Sequence, residues 1–172
     1  MGDIIEYDYK IITIDSDVSK FKDATVCDFY IKLDEPLRNV YKINIITMLL
    51  NITNNSPLIT TKAMEQIYVN LNNYSRLIGM SSTVVNGDNV NINAFDSLII
   101  ENKITSGTDT TTIKNEYLHT DSIYQLNPIN PQLNRFIVKL IDKNNTTIPM
   151  SSINRFVMKI GVYYNNKKTT RI

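Results

Sequence analysis

Four groups of side chains in this 172-residue chain carry atoms that could do chemistry. His119, the single histidine, stands in "NEYLHTDS" two residues before Asp121, the pairing of a general base with a carboxylate partner. No nucleophile or oxyanion donor is marked around it, so a loop histidine without a catalytic role is the better reading. Cys27, the single cysteine, lies between Val26 and Asp28. Apolar and acidic neighbours raise a thiol's pKa, which favours a small buried hydrophobe over a thiolate nucleophile.

Asp15-Ser16-Asp17 sets two carboxylates at metal-like spacing, and "NGDN" adds Asp88. The further oxygen ligands and closing glutamate of a calcium loop do not follow, and turn chemistry explains both stretches. The C-terminal Tyr163-Tyr164-Asn165-Asn166-Lys167-Lys168-Thr169-Thr170-Arg171 mixes cations with rings, as a surface tracking nucleic acid would. An extended arm docking on a neighbouring subunit fits it better. The five glycines are scattered and form no phosphate loop. No catalytic group, metal or cofactor is expected.

Periodicity describes the scaffold. "DIIEYDYKIITID" opens the chain like a strand, and "VSKFKDA" reads as a polar arm or loop. Phe29, Ile31 and Leu33 alternate with Asp28, Tyr30, Lys32 and Asp34, the pattern of a half-buried strand. "DEPLRN" predicts a turn at Pro36, and "VYKINIITMLLNI" a long central strand with Val40, Lys42 and Asn44 opposite Tyr41, Ile43 and Ile45. "NNSPLITTKAM" reads as a loop, and "EQIYVNLN" sets Ile67, Val69 and Leu71 against Gln66, Tyr68 and Asn70. Asn86-Gly87 between β-rich flanks predicts a tight hairpin, because both central residues must take positive φ. "DSLIIENKI" supplies another strand, "TSGTDTTTIKNEYLHTDS" a long polar connection with short strands, and "NPINP" a stop.

Near the C-terminus one pattern occurs twice, in "LNRFIVKLID" and "INRFVMKIGV". Phe136, Val138 and Leu140 share a face in the first copy; Phe156, Met158, Ile160 and Val162 share one in the second. Two strands covering a common core would need that. About eight strands and no amphipathic helix predict an all-β chain, an antiparallel two-sheet β-sandwich spanning residues 1–172, with terminal arms at 1–23 and 163–172.

Neither a signal-peptide run nor a membrane-spanning apolar stretch is visible, so a soluble chain without membrane insertion is expected. Charge is divided by region. Residues 1–35 hold nine acids against four lysines, and residues 132–172 hold eight bases against Asp142 alone. The two ends attract each other, either across a ladder within one chain or between subunits; the former needs no partner and is preferred.

Ile14-Asp15-Ser16-Asp17, Phe29, Ile31, Leu33, Glu35-Pro36, Asn39-Val40, Ile43 and Ile45, together with the C-terminal "P.LNRFIVKLIDKNNTTI…F.MKI", resemble single jelly-roll capsid proteins of large icosahedral DNA viruses. The two blocks cover about the first 50 and last 40 residues. "TMLLNI" lacks the proline often found after the third strand, and "DKNN" replaces a more usual Asp-Gly turn. The resemblance implies a single jelly roll acting as a virion protein: a penton forming homopentamers at five-fold vertices, or another minor capsid protein. Its partners would be its own copies and the major capsid protein or other minor capsid proteins, its location the virion capsid after assembly in the host cytoplasm. The assembly interface is then expected at Tyr7, Tyr9, Tyr163, Tyr164, Lys167, Lys168 and Arg171 on the chain ends. A carbohydrate-binding β-sandwich module using exposed tyrosines is the rival from another class.

Overall fold

A computed structural model describes residues 7–23, 25–53, 65–75, 77–85, 88–100, 110–116 and 123–166. Its strands are β1 (Asp8–Asp15), β2 (Lys20–Asp23), β3 (Asp28–Thr53), β4 (Glu65–Leu71), β5 (Leu77–Val85), β6 (Asp88–Ala94), β7 (Asp96–Ile100), β8 (Thr110–Glu116), β9 (Ile123–Ile141) and β10 (Ile153–Tyr164). One 3-10 turn, Met150–Ser152, precedes the last strand, and no α-helix occurs among the described residues. All strand pairings are antiparallel. Eight strands make a curled sheet ordered β1-β10-β3-β9-β4-β7, with β2 and β8 also paired to β3, while β5 and β6 form a separate ribbon.

β3 is the spine. Its 26 residues would run about 85 Å if straight, whereas a compact chain of this length has a radius of gyration of about 16 Å. The strand therefore has to bend, and its pairing is broken at several points, three of them along its middle. Between Lys32 and Leu37 four residues leave the ladder with β9; the next break falls between Val40 and Lys42, beside Asn39 at φ 49°. The third is a bulge: Thr47 faces Lys159 and Ile45 faces Ile160, leaving Ile46 without a partner on β10.

The bulge solves a parity problem. On β10, Phe156, Met158, Ile160 and Val162 alternate into the core without interruption. Opposite them, Ile43, Ile45, Met48, Leu50 and Ile52 are all buried, although the run changes from odd to even numbers. One extra residue at Ile46 restores the apolar face that simple alternation would turn outward. The core so formed is a single cluster drawing on β1, β3, β4, β9 and β10, with Phe29 meeting Phe156 edge-on at 6.2 Å between ring centroids.

The duplicated motif now has a structural reason. Arg135 to Lys139 pair with Lys32 to Asp28 at one end of β3, and Arg155 to Lys159 pair with Asn51 to Thr47 toward the other. Both copies place apolar residues on the core side of the same long strand, and all seven of the predicted inward residues are buried.

Several expectations need correction. Pro36 does not start a turn: the chain runs on as strand, and the proline occupies a gap in the ladder where its missing N–H costs nothing. "NPINP" does not stop a strand, since Pro128 and Pro131 lie inside β9, where residues 126–129 leave the ladder in turn. "VSKFKDA" contributes β2, paired to the start of β3. Val40 is buried in the core, not outward, while Asn44 keeps the side opposite Ile43 and Ile45 and is buried there. Tyr68 is buried as well, in a second small cluster with Ile92, Ala94 and Ile141, because the β5–β6 ribbon covers that side of β4. Val85 pairs with Asp88, so the predicted hairpin has a two-residue connection. Asn86, Gly87, the loop at 54–64 and His119 lie outside the described residues.

In the connection from β9 to β10, Asp142 Oδ1 accepts the N–H groups of Asn144 and Thr146, both at 2.8 Å. Asn145 takes φ 60° there. Asparagine tolerates that left-handed conformation, which explains how "DKNN" does the work of an Asp-Gly turn.

Deleting Ile46 removes the parity correction and should turn Met48, Leu50 and Ile52 away from the core, abolishing cooperative thermal unfolding. Ile46→Ala, which keeps the residue count, should leave a cooperative transition. Calorimetry on both variants checks this; a folded deletion variant would contradict it.

Candidate interaction surface

Strand register decides which side chains meet on the outward face. The β1–β10 ladder sets Tyr9 opposite Tyr163 and Ile11 opposite Gly161. The β10–β3 ladder continues those rows to Lys42 and Asn44. The result is a contiguous aromatic surface where the beginning of β1 meets the end of β10. Ring centroids lie 4.3 Å apart for Tyr7 and Tyr41, 4.7 Å for Tyr9 and Tyr163, and 6.1 Å for Tyr41 and Tyr163. The Lys42 ammonium sits 4.2 Å from the centre of the Tyr163 ring, within the range of a cation–π contact.

Gly161 makes room for this arrangement. A Cβ there would lie 2.2 Å from Asn44 Oδ1 and 2.4 Å from the Tyr9 hydroxyl, closer than atoms can approach. Asn44 is buried beneath, and its Oδ1 accepts no hydrogen bond from the described residues. An orphaned buried acceptor costs about 1–3 kcal/mol, so the sheet tolerates a local penalty under the tyrosine layer.

Protonation follows from packing. Tyr41 is pushed up to about 12, chiefly by desolvation and then by Tyr7 and Tyr163. Tyr9 is raised too: burial and Tyr163 outweigh its contact with the Asn44 side chain, which acts in the other direction. Both hydroxyls therefore stay protonated at neutral pH, which suits hydrogen-bonding and apolar contact and not nucleophilic or general-base work.

The opposite end of β1 is held by charge. Arg155 spans Asp15 with two hydrogen bonds, Nε to Oδ1 at 3.1 Å and Nη2 to Oδ2 at 2.5 Å, and its Nε also lies 3.2 Å from Asp17 Oδ2. Ser16 Oγ accepts the Phe156 N–H at 2.9 Å, and the Ser16 N–H bonds back to the Phe156 carbonyl. Asp15-Ser16-Asp17 is thus a clamp joining the first and last strands. The opposite charges of the chain ends meet here within one chain.

Of the residues expected at an interface, Tyr7, Tyr9 and Tyr163 converge. Tyr164 points the other way and packs against the core. Lys167, Lys168 and Arg171 lie outside the described residues. Ile11, Tyr41, Lys42, Asn44 and Gly161 join the surface without having been singled out; their common signal is position across the ladders, which only the register reveals. Cys27 is buried, its thiol pushed up to about 12 by desolvation, with Sγ 3.5 Å from Met150 Sδ. No protein-family profile matches the chain, and no curated protein does.

A spectrophotometric titration of tyrosine ionisation should show a component near pH 12 that disappears in Tyr41→Phe; its persistence would reassign the shift. Asp15 behaves differently. The Arg155 hydrogen bonds hold its carboxyl below the ordinary value of 3.8, so the bound carboxylate contributes stability above that pH, and the contribution is lost as pH falls through the lower folded-state value. Arg155→Gln should accordingly reduce stability to urea at pH 7, with the gap from the wild type narrowing at pH 3. An unchanged gap at pH 3 would show that the arginine acts by something other than this ion pair.

Proposed function

We propose that the protein is a structural subunit of an icosahedral virion, folded as a single jelly roll and assembling as a homopentamer at five-fold vertices. Support for the jelly roll comes from the first and last strands lying side by side and from β3 and β9, which carry the wall around one core. The capsid role draws on the motif resemblance of the two terminal blocks. Another minor capsid position in the same shell is the nearest alternative.

The observation that carries the assembly reading is the surface of β1. This strand ends the sheet order, so its outer backbone edge pairs with no strand among the described residues. Beside that edge Tyr7, Tyr9 and Ile11 are 52%, 43% and 57% exposed. A free edge flanked by large apolar groups is what stable monomers usually avoid and what subunits bury. Contact between this surface and a different face of the next copy is heterologous, and five such contacts related by rotation close a ring. The remaining loops then face the major capsid protein.

The tyrosines suit this role better than a glycan platform. Their rings are inclined to one another by 35°, 52° and 63° and pack among themselves, whereas a sugar-stacking platform needs a flat, open ring face. Their hydroxyls supply polar tips for an interface otherwise made of ring and aliphatic surface.

Light scattering on the eluting protein should give a mass five times that of the monomer, and Tyr9→Ala with Tyr163→Ala should shift it toward the single chain while leaving the fold intact by circular dichroism. A wild-type monomer at every concentration and ionic strength would exclude the reading.

A further inference from the structure

A second surface feature lies away from the tyrosines, between the end of β4 and the middle of β9. Asn72 and Asn73, at φ 48° and 62°, turn the chain out of β4. The Asn72 side chain then replaces a strand neighbour: Nδ2 donates to the Arg135 carbonyl at 3.1 Å, and Oδ1 accepts the Ile137 N–H at 2.6 Å. The turn is thereby fastened to β9 and leaves an open groove of about 320 Å³ beside it, at the lower end of small-molecule clefts.

The walls of this groove are mostly uncharged amides, and they are already oriented. Asn130 Nδ2 donates to the Tyr74 hydroxyl at 3.0 Å while its Oδ1 accepts the Gln132 N–H at 3.1 Å. Gln132 Nε2 donates to Asn134 Oδ1 at 3.0 Å. Tyr74 is itself held by stacking on Tyr124, with centroids 5.5 Å apart and planes inclined by 30°. These bonds leave the Asn134 NH2, the Gln132 Oε1 and the Asn73 amide without a partner among the described residues, at the rim of the same groove. Ile137, 37% exposed, supplies an apolar patch between them.

Such a lining selects by chemistry. Amides offer donors and acceptors in equal number and no net charge, which matches hydroxyl groups that each donate and accept. The apolar patch matches the C–H face of a sugar ring. Among the described residues the one cation in the lining is Arg135, whose guanidinium carbon lies 5.9 Å from the centre of the Tyr30 ring, and none of them in the lining is a carboxylate. Because the Gln132 and Asn134 amides hold each other before any ligand arrives, little ordering of these two is needed on binding. We propose that this groove binds a neutral oligosaccharide, through Asn73, Gln132 and Asn134 as hydrogen-bonding groups and Ile137 as the packing surface. The site is separate from the β1 surface and independent of the assembly reading.

Saturation-transfer NMR, which reads the ligand and works on large assemblies, tests this with the full chain and millimolar chitotetraose, cellotetraose, maltotetraose or mannotetraose. At least one should receive saturation, with the signal falling at least fivefold in Gln132→Ala with Asn134→Ala and unchanged in Val18→Ala, an exposed position outside the groove. Asn134→Asp, which keeps the side-chain shape but removes the free NH2 donor, should also weaken it, and thermal unfolding confirms that the variants fold. No transfer to any of the four sugars overturns the proposal, as does transfer that survives both amide variants. Binding confined to an anionic heparin tetrasaccharide overturns it too, because Arg135 would then be the recognising group.

Discussion

One constraint organises this molecule: a single strand too long to remain straight must bend and still present an unbroken apolar side to one interior. β3 meets it by giving up hydrogen bonds at defined points, and the positions of those gaps follow from burial. The extra residue at Ile46 costs one ladder pairing and retains the burial of Met48, Leu50 and Ile52. Burying three such side chains is worth about 1.5–3 kcal/mol each, well above the roughly 0.5–1.5 kcal/mol net worth of one hydrogen bond. The exchange is favourable by a clear margin.

The same register that closes the interior writes the exterior. Once Ile160 and Val162 face inward, Gly161 and Tyr163 must face out, and their partners across the ladders are fixed as Ile11 and Tyr9 on one side and Asn44 and Lys42 on the other. The aromatic surface is in this sense the reverse of the core pattern. Its tight seat over Gly161 allows no β-carbon, while the Arg155 clamp anchors the far end of the same strand.

Local alternation made much of this legible. Within Phe136 to Leu140 and Phe156 to Val162 the period of two is unbroken, so inward residues can be read directly from type and spacing. The reading fails where pairing is irregular. Val40 sits beside a break whose cause lies in a strand more than eighty residues away. Pro36 signalled an interruption truthfully; what it could not show was that the chain continues in the same direction. Tyr68 looked outward because its cover, the β5–β6 ribbon, is folded over it from a later part of the chain. Tyr7, Tyr9 and Tyr163 could be singled out as rings near the ends of the chain, but Tyr41, Lys42 and Gly161 have meaning only through cross-strand partners.

The edge of β1, which pairs with no strand among the described residues, also has a kinetic side. Open N–H and C=O groups along a strand edge accept any extended segment, correct or not, so in the assembly proposed above each chain is at hazard from other copies until its neighbour docks. On that proposal the rate of synthesis relative to docking governs yield, and the best-behaved preparations will be those in which the strand is occupied soonest.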